Sequence, residues 1–116
     1  QNVNVLLSPC FALPAMLHDD GVDLIPAASY SFLHNLVGGP AGMVPWSVIA
    51  DGEESDRERA RDSVVRKAIA TETGSVGLPV GVQVAALPWQ EHLVLAVMRK
   101  LEEAIPPLPT VGRSEQ

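Results

Sequence analysis

Hydrophobic and polar positions along the chain alternate between strand-like runs and helix-like stripes. β-branched and apolar runs bounded by Pro, Gly or Ser predict strands, whereas apolar residues that recur every third or fourth position predict helices. These patterns predict strands at residues 3–7, 43–49 and 80–87, and helices at residues 30–37, 56–70 and 89–105. Strands that alternate with helices are typical of an α/β layer, so we expect an α/β fold with largely parallel pairing.

Individual residues predict how several of these elements begin and end. Ser29 is a predicted N-cap of the first helix because its hydroxyl can accept an orphan backbone N–H, and Gly38 ends that helix because glycine adopts the left-handed conformation. Ser55 and Glu58 have the spacing of a capping box and predict the start of the second helix. Pro45 lacks a ladder donor, so the second strand should lie at an edge or carry a bulge.

The remaining segments indicate that this unit packs against more protein. Residues 9–27 contain prolines, a glycine and two adjacent aspartates, which predicts an irregular connection that is nevertheless too apolar for a free loop. Three strands leave at least one sheet edge uncovered, so we expect them to complete a larger sheet. Residues 1–108 are therefore predicted to form an incomplete domain of about three strands and three helices, and residues 109–116 a flexible tail.

Composition and charge exclude several classes of protein. Hydrophobic residues make up 47% of the chain and charged residues 19%, which is typical of an ordered domain. The net charge of −6 and the lack of a basic tract argue against a nucleic-acid partner, because phosphates are neutralised by clustered Lys and Arg. Cys10 is the only cysteine, so neither an internal disulfide nor a Cys-based zinc site is expected.

A search for catalytic residues finds no recognisable constellation. The serines are scattered and none lies in a Gly-x-Ser-x-Gly elbow. His18, His34 and His92 lack metal-ligand spacing and are interpreted as surface or core histidines. Lys67 lies among charges on the second helix, and Lys100 near the end of the third, where a cation suits the helix dipole. We therefore predict no catalytic residue, metal or cofactor in this chain.

Several features keep two interpretations. The acidic stretch 51–72 is either a solvated face, which we favour, or a partner-binding surface. Asp19 and Asp20 form either a solvated turn, which we favour, or a cation site. Phe32 lies off the apolar stripe of its helix, so it is either buried by a larger protein or faces an apolar cavity. Trp46 and Trp89 are interpreted as core or interface anchors.

Two blocks of sequence resemble the amidase-signature hydrolases. The first is residues 29–45, SYSFLHNLVGGPAGMVP, and the second is residues 74–91, GSVGLPVGVQVAALPWQE. The GLPVGVQ portion is shared by amidase-signature enzymes at large, whereas the continuation ALPWQE is similar to the fatty acid amide hydrolase branch. With residues 5–9 the resemblance covers nearly the whole chain, and the stretch 51–72 departs from it most.

This resemblance implies a mixed β-sheet covered by helices and a parent enzyme that hydrolyses long-chain fatty acid amides to the free acid and an amine. Such enzymes use a Ser–Ser–Lys triad in a Gly/Ser-rich region, which has no counterpart in these 116 residues. The chain is therefore expected to be an inactive C-terminal part of that enzyme. The family's segment before and within the first block lines the acyl channel, which by position points to Ile25, Ala28 and Phe32 as substrate-binding residues.

The resemblance also implies an intracellular parent that associates with membranes through segments outside this chain, and it leaves a homodimer open. Two other functions stay open. The chain is compatible with a binding module that kept the scaffold without the chemistry, because its composition suits independent folding. It is equally compatible with a part of another amidase-signature enzyme that acts on a shorter substrate.

Overall fold

The computed structural model describes residues 3–108, and these residues confirm the predicted order of strands and helices. A short 3₁₀ helix, Ile25–Ala28, was not expected and leads directly into the first α-helix. The strands are β1 (Val5–Pro9), β2 (Ala41–Val48) and β3 (Pro79–Ala86), and the α-helices are α1 (Ser29–Val37), α2 (Ser63–Glu72) and α3 (Glu91–Ala104). The tail predicted at residues 109–116 lies outside the described residues.

The three strands form one sheet in the order β1–β3–β2, and both pairs are antiparallel. The expectation of largely parallel pairing was therefore wrong. The reason why β2 and β3 pair antiparallel is visible beyond the ends of the two strands. There the Ile49 N–H donates to the Leu78 carbonyl at 3.0 Å and the Gly77 N–H donates to the Ile49 carbonyl at 2.8 Å. These bonds extend the β2–β3 ladder, so the segment containing α2 leaves and returns at the same end of the sheet. A parallel pair would need that segment to cross a sheet face.

The prediction from Pro45 is confirmed on both counts. Among the described strands β2 lies at an edge of the sheet, and its register with β3 shifts between Pro45 and Ser47. Trp46 is the extra residue of this bulge, because no partner on β3 is opposite it. A proline at an edge costs no ladder bond, and the bulge turns the edge away from further pairing.

Helix α3 packs on the face of the sheet formed by β2 and β3. Val84 at the centre of β3 is fully buried, and Val94 of α3 is also buried. Gly42 on β2 allows this close approach, because a Cβ there would collide with the Met98 side chain and touch Val94. Helix α1 lies beside β1 across a cleft, and the Ser31 hydroxyl donates at 2.9 Å to the carbonyl of Cys10, the residue that follows β1.

Two of the predicted helix starts were wrong. Ser29 does not cap α1, because the preceding 3₁₀ helix already makes the chain helical and the Ser29 N–H donates to the Pro26 carbonyl. Helix α2 begins at residue 63 instead of 56, with Asp62 as its cap. Ser55 instead donates its hydroxyl to the Glu72 carboxylate at 2.6 Å. The predicted helix end at Gly38 is confirmed by its left-handed φ of 64°.

Candidate functional site

The three predicted substrate-binding residues lie on one continuous helical run. Ile25 and Ala28 belong to the 3₁₀ helix and Phe32 to α1, which follows without a break. Spacings of three and four residues place side chains on one side of a helix. Ile25 and Phe32 are exposed, whereas Ala28 is partly buried. The structure thus brings these residues together as a short apolar strip, and their contact with substrate stays a prediction.

The strip is anchored to the segment that follows β1. The Ala12 N–H donates to the Ala27 carbonyl at 2.9 Å, which ties the irregular segment to the 3₁₀ helix. Leu24, one residue before that helix, is among the most buried side chains of the described chain. Pro26 lies in the first turn of the 3₁₀ helix, where its missing N–H has no helical partner to lose. The position of the strip therefore follows from contacts before it as well as from α1.

Apolar surface continues around the strip and along β1. Tyr30, Leu33 and Leu36 of α1 are exposed, as are Leu6 and Leu7 on the two sides of β1. A cleft with a cavity volume of about 220 Å³ separates β1 from α1. Its side chains are mostly apolar and include Leu6, Leu33, His34, Val37 and Leu87. So much exposed apolar surface around one strand and one helix is unusual for a free-standing domain and marks an interaction or ligand-binding surface.

The described residues hold no arrangement typical of hydrolytic chemistry. His34 is buried against the sheet while His18 and His92 are exposed, and residues 3–108 contain no group of three potential metal ligands. Lys67 and Lys100 contact carboxylates. Among the hydrogen bonds of residues 3–108, no serine hydroxyl meets a lysine amine. A serine nucleophile needs such a base within hydrogen-bond reach.

The acidic stretch 51–72 is in part an internal hydrogen-bonding network. Carboxylates from this stretch accept hydrogen bonds from backbone N–H groups or from other side chains, namely those of Glu53, Glu54, Asp62 and Glu72. Glu72 is buried and accepts from Ser55 and from the Arg57 Nε at 2.7 Å. The interpretation as a purely solvated face was therefore incomplete, because these charges hold the connection between β2 and β3 together.

Neither tryptophan is a core residue in the described part of the chain. Trp89 is 88% exposed and has a positive φ of 69°, and Trp46 at the bulge of β2 is also exposed. Of the two expected roles, core or interface anchor, the first is therefore wrong and the second stays a prediction. Both remain available to an interface, since large aromatic side chains contribute most when they become buried there.

Sequence reasoning missed a cluster formed by Lys67, Asp20 and Asp23. The Lys67 Nζ lies 2.6 Å from a carboxylate oxygen of each aspartate. Asp20 had been interpreted, together with Asp19, only as part of a solvated turn or cation site, and Lys67 only as a surface charge, whereas Asp23 had received no interpretation. No pattern along the chain signals this cluster, because its members are 44 and 47 residues apart in sequence.

A family model described as Amidase matches residues 1–95. This chain belongs to the amidase family. The membership confirms the resemblance carried by the two sequence blocks, and the α/β unit of three strands and three helices is consistent with a piece of the amidase-signature fold.

Two similar proteins are fatty acid amide hydrolases. Fatty acid amide hydrolase 1 of Caenorhabditis elegans is 35% identical over 107 residues, which cover 90% of this chain and 19% of that protein. Fatty-acid amide hydrolase 1 of Sus scrofa is 37% identical over 113 residues, which cover 91% of this chain and 19% of that protein. The amidase chain described here thus spans about a fifth of the length of these relatives. Within residues 3–108 no helix is both long and apolar enough to cross a bilayer.

Proposed function

We propose that this chain is the C-terminal part of a larger serine amidase that hydrolyses long-chain fatty acid amides to the free acid and an amine. The observation that carries the proposal is its identity of 35% and 37% to two fatty acid amide hydrolases along about nine-tenths of its length. The small share of those relatives that it spans supports a parent several times longer.

Within that enzyme the chain supplies scaffold and does not supply the reacting groups. Its antiparallel sheet and α3 form a packed layer, whereas β1 and α1 leave apolar surface for other parts of the enzyme to cover. The Ser–Ser–Lys triad that the resemblance implies belongs to the rest of the parent. Both lysines of this chain are already engaged by carboxylates, which supports this division of roles.

The strip of Ile25, Ala28 and Phe32 forms part of the wall of the acyl channel. An alkyl chain is bound mainly through burial of apolar surface, and the strip offers two large apolar side chains, Ile25 and Phe32, that are about half exposed. Burial of each methylene contributes about 0.8 kcal/mol, so a longer contacted wall favours a longer acyl chain. Membrane association and a homodimer of the parent stay predictions.

Two measurements test the proposal. The coding sequence preceding Gln1 should encode a Ser–Ser–Lys arrangement in a Gly/Ser-rich region, and a parent without one contradicts the assignment. The purified 116-residue chain should hydrolyse neither oleamide nor octanamide, whereas the intact protein should hydrolyse oleamide preferentially. Turnover by the chain alone would contradict the division of roles. A preference for the shorter amide would favour an amidase of another branch.

The channel wall is tested by substitution in the intact protein. Phe32→Ala should lower kcat/KM for oleamide more than for octanamide, because the distal methylenes of the longer chain lose their contact. Tyr30→Ala is the matched control, since Tyr30 is an aromatic residue of the same helix with similar exposure, 44% against 47%, but points to a different side. If the two variants change the ratio of kcat/KM for oleamide to that for octanamide equally, the strip does not line the acyl channel.

A further inference from the structure

The cluster of Lys67, Asp20 and Asp23, here called the Lys67 clamp, joins α2 to the segment that precedes the 3₁₀ helix. Lys67 donates to Asp20 Oδ1 and Asp23 Oδ2, each at 2.6 Å. The side chain of Lys67 is 36% exposed and that of Asp20 is 20% exposed, so their contact is partly shielded from water, whereas Asp23 is 56% exposed. One ammonium thus binds two carboxylates from the same turn, and fixes that turn against a helix distant in sequence.

Backbone hydrogen bonds connect the Lys67 clamp to the apolar strip. The Leu24 N–H donates to the Asp20 carbonyl at 3.1 Å, and the Ala27 N–H donates to the Leu24 carbonyl at 2.9 Å. Leu24 is buried and lies directly between Asp23 and Ile25. The clamped turn and the 3₁₀ helix are therefore one hydrogen-bonded unit, and a shift of the turn must move the helix with it.

We infer that Lys67 is a positioning residue, which holds Ile25 and Ala28 at the place where they limit the acyl channel. The inference rests on the proposed function, because it takes the strip to be a channel wall. Lys67 touches no substrate in this role. It acts through Asp20 and Asp23, and the length of acyl chain that the enzyme prefers depends on it.

The electrostatics of the Lys67 clamp agree with this role. The hydrogen bonds that Lys67 donates to Asp20 and Asp23 raise the pKa of Lys67, because they favour its charged form. Lys100 provides a contrast, since it is 78% exposed and its partner Glu103 lies three residues away on the same helix. A pair within one turn of a helix restrains no other element. Lys100 is therefore the matched control for loss of a lysine.

The first experiment compares Lys67→Met with Lys100→Met in the intact protein. Lys67→Met should change the ratio of kcat/KM for oleamide to that for octanamide by about two- to fivefold, the size expected from loosening partly exposed ion pairs. The change should appear mainly in KM, since the reacting groups are untouched. Lys67→Arg keeps a cation with several donors and should restore most of the ratio, and Lys100→Met should leave it unchanged.

The second experiment tests whether Lys67 holds the turn in place, and it does not depend on enzyme activity. Amide hydrogen exchange of the intact protein should become faster at Leu24 and Ala27 in Lys67→Met, and should stay unchanged there in Lys100→Met. Unchanged exchange at both amides in Lys67→Met overturns the clamp. An unchanged rate ratio in an active Lys67→Met enzyme overturns its role in selectivity. An intact unsubstituted protein that hydrolyses neither amide contradicts the proposed function instead, and the exchange result then still decides the clamp.

Discussion

The burial of Val84 predicts that Val84→Ala is among the most damaging apolar substitutions in this chain. Val84 is 0% exposed at the centre of β3, where Leu7 of β1 and Gly42 of β2 are opposite it. Loss of two buried methyl groups costs about 1.6 kcal/mol by transfer. The space left between the sheet and α3 adds roughly 1 kcal/mol, because neighbouring side chains relax only in part. The expected loss of stability is therefore about 2–3 kcal/mol.

Val80→Ala is the matched control for this substitution. Val80 lies on the same strand and, four residues away, on the same side of it, but it is 38% exposed. Its truncation leaves no closed cavity, and the expected loss is about 1 kcal/mol or less.

Both losses of stability are measured by urea unfolding followed by far-UV circular dichroism. They can be compared directly when the two variants have the same m value. For a domain of this size, the loss at Val84 corresponds to a fall in Tm on the order of 10 °C. If Val80→Ala and Val84→Ala cost the same, burial at the centre of the sheet does not determine how much a valine contributes to stability.

Three further predictions concern a backbone contact, a helix cap and an ion pair. Gly39→Ala should cost about 1–3 kcal/mol in a thermal melt, because the new Cβ would lie 2.8 Å from the Ala86 carbonyl oxygen, and a loss near zero would contradict this. Asp62→Ala should cost about 1 kcal/mol, since its carboxylate accepts from two first-turn N–H groups of α2, and Asp62→Asn should retain most of this stability. Because folding raises the pKa of Lys67, its ion pairs contribute their full stability to the fold at pH values below the unfolded-state pKa of about 10.4. This contribution is lost as the pH rises through the folded-state pKa. The Tm difference between the unchanged protein and Lys67→Met should thus be constant from about pH 7 to 9 and shrink above about pH 10.4; a difference that vanishes by about pH 9 would refute this.

Local sequence predicted those features that depend on a few neighbouring residues. Gly38 ends α1 as expected, because a left-handed φ is accessible to glycine whatever packs around it. Pro45 marks an edge strand with a bulge as expected, because it cannot donate to a ladder in any fold. The expectation that the apolar irregular segment after β1 packs against further protein stays a prediction, although several of its residues line a cleft beside the sheet.

Predictions failed where a side chain had a distant alternative partner. Ser55 fits a capping box, but in the folded chain its hydroxyl binds Glu72, and Asp62 caps α2 instead. The Ser55 oxygen accepts from the Arg57 N–H at 3.3 Å while the hydroxyl donates to Glu72, and the sequence does not indicate that Glu72 will be near. The candidate site shows the same limit, since Ile25, Ala28 and Phe32 were placed by family resemblance and not by any local pattern.

The sequence by itself determined the order of the elements, the positions at which glycine and proline interrupt them, and membership of the amidase family. Backbone preferences and hydrophobic periodicity act over a few residues, and family motifs are written directly in the chain. Only the tertiary structure decided that β1 and β2 both pair antiparallel with β3, and that Lys67 binds Asp20 and Asp23. The direction of strand pairing depends on the path of a long connection. An ion pair depends on whether two segments distant in sequence meet in space. Neither is fixed until the chain has packed.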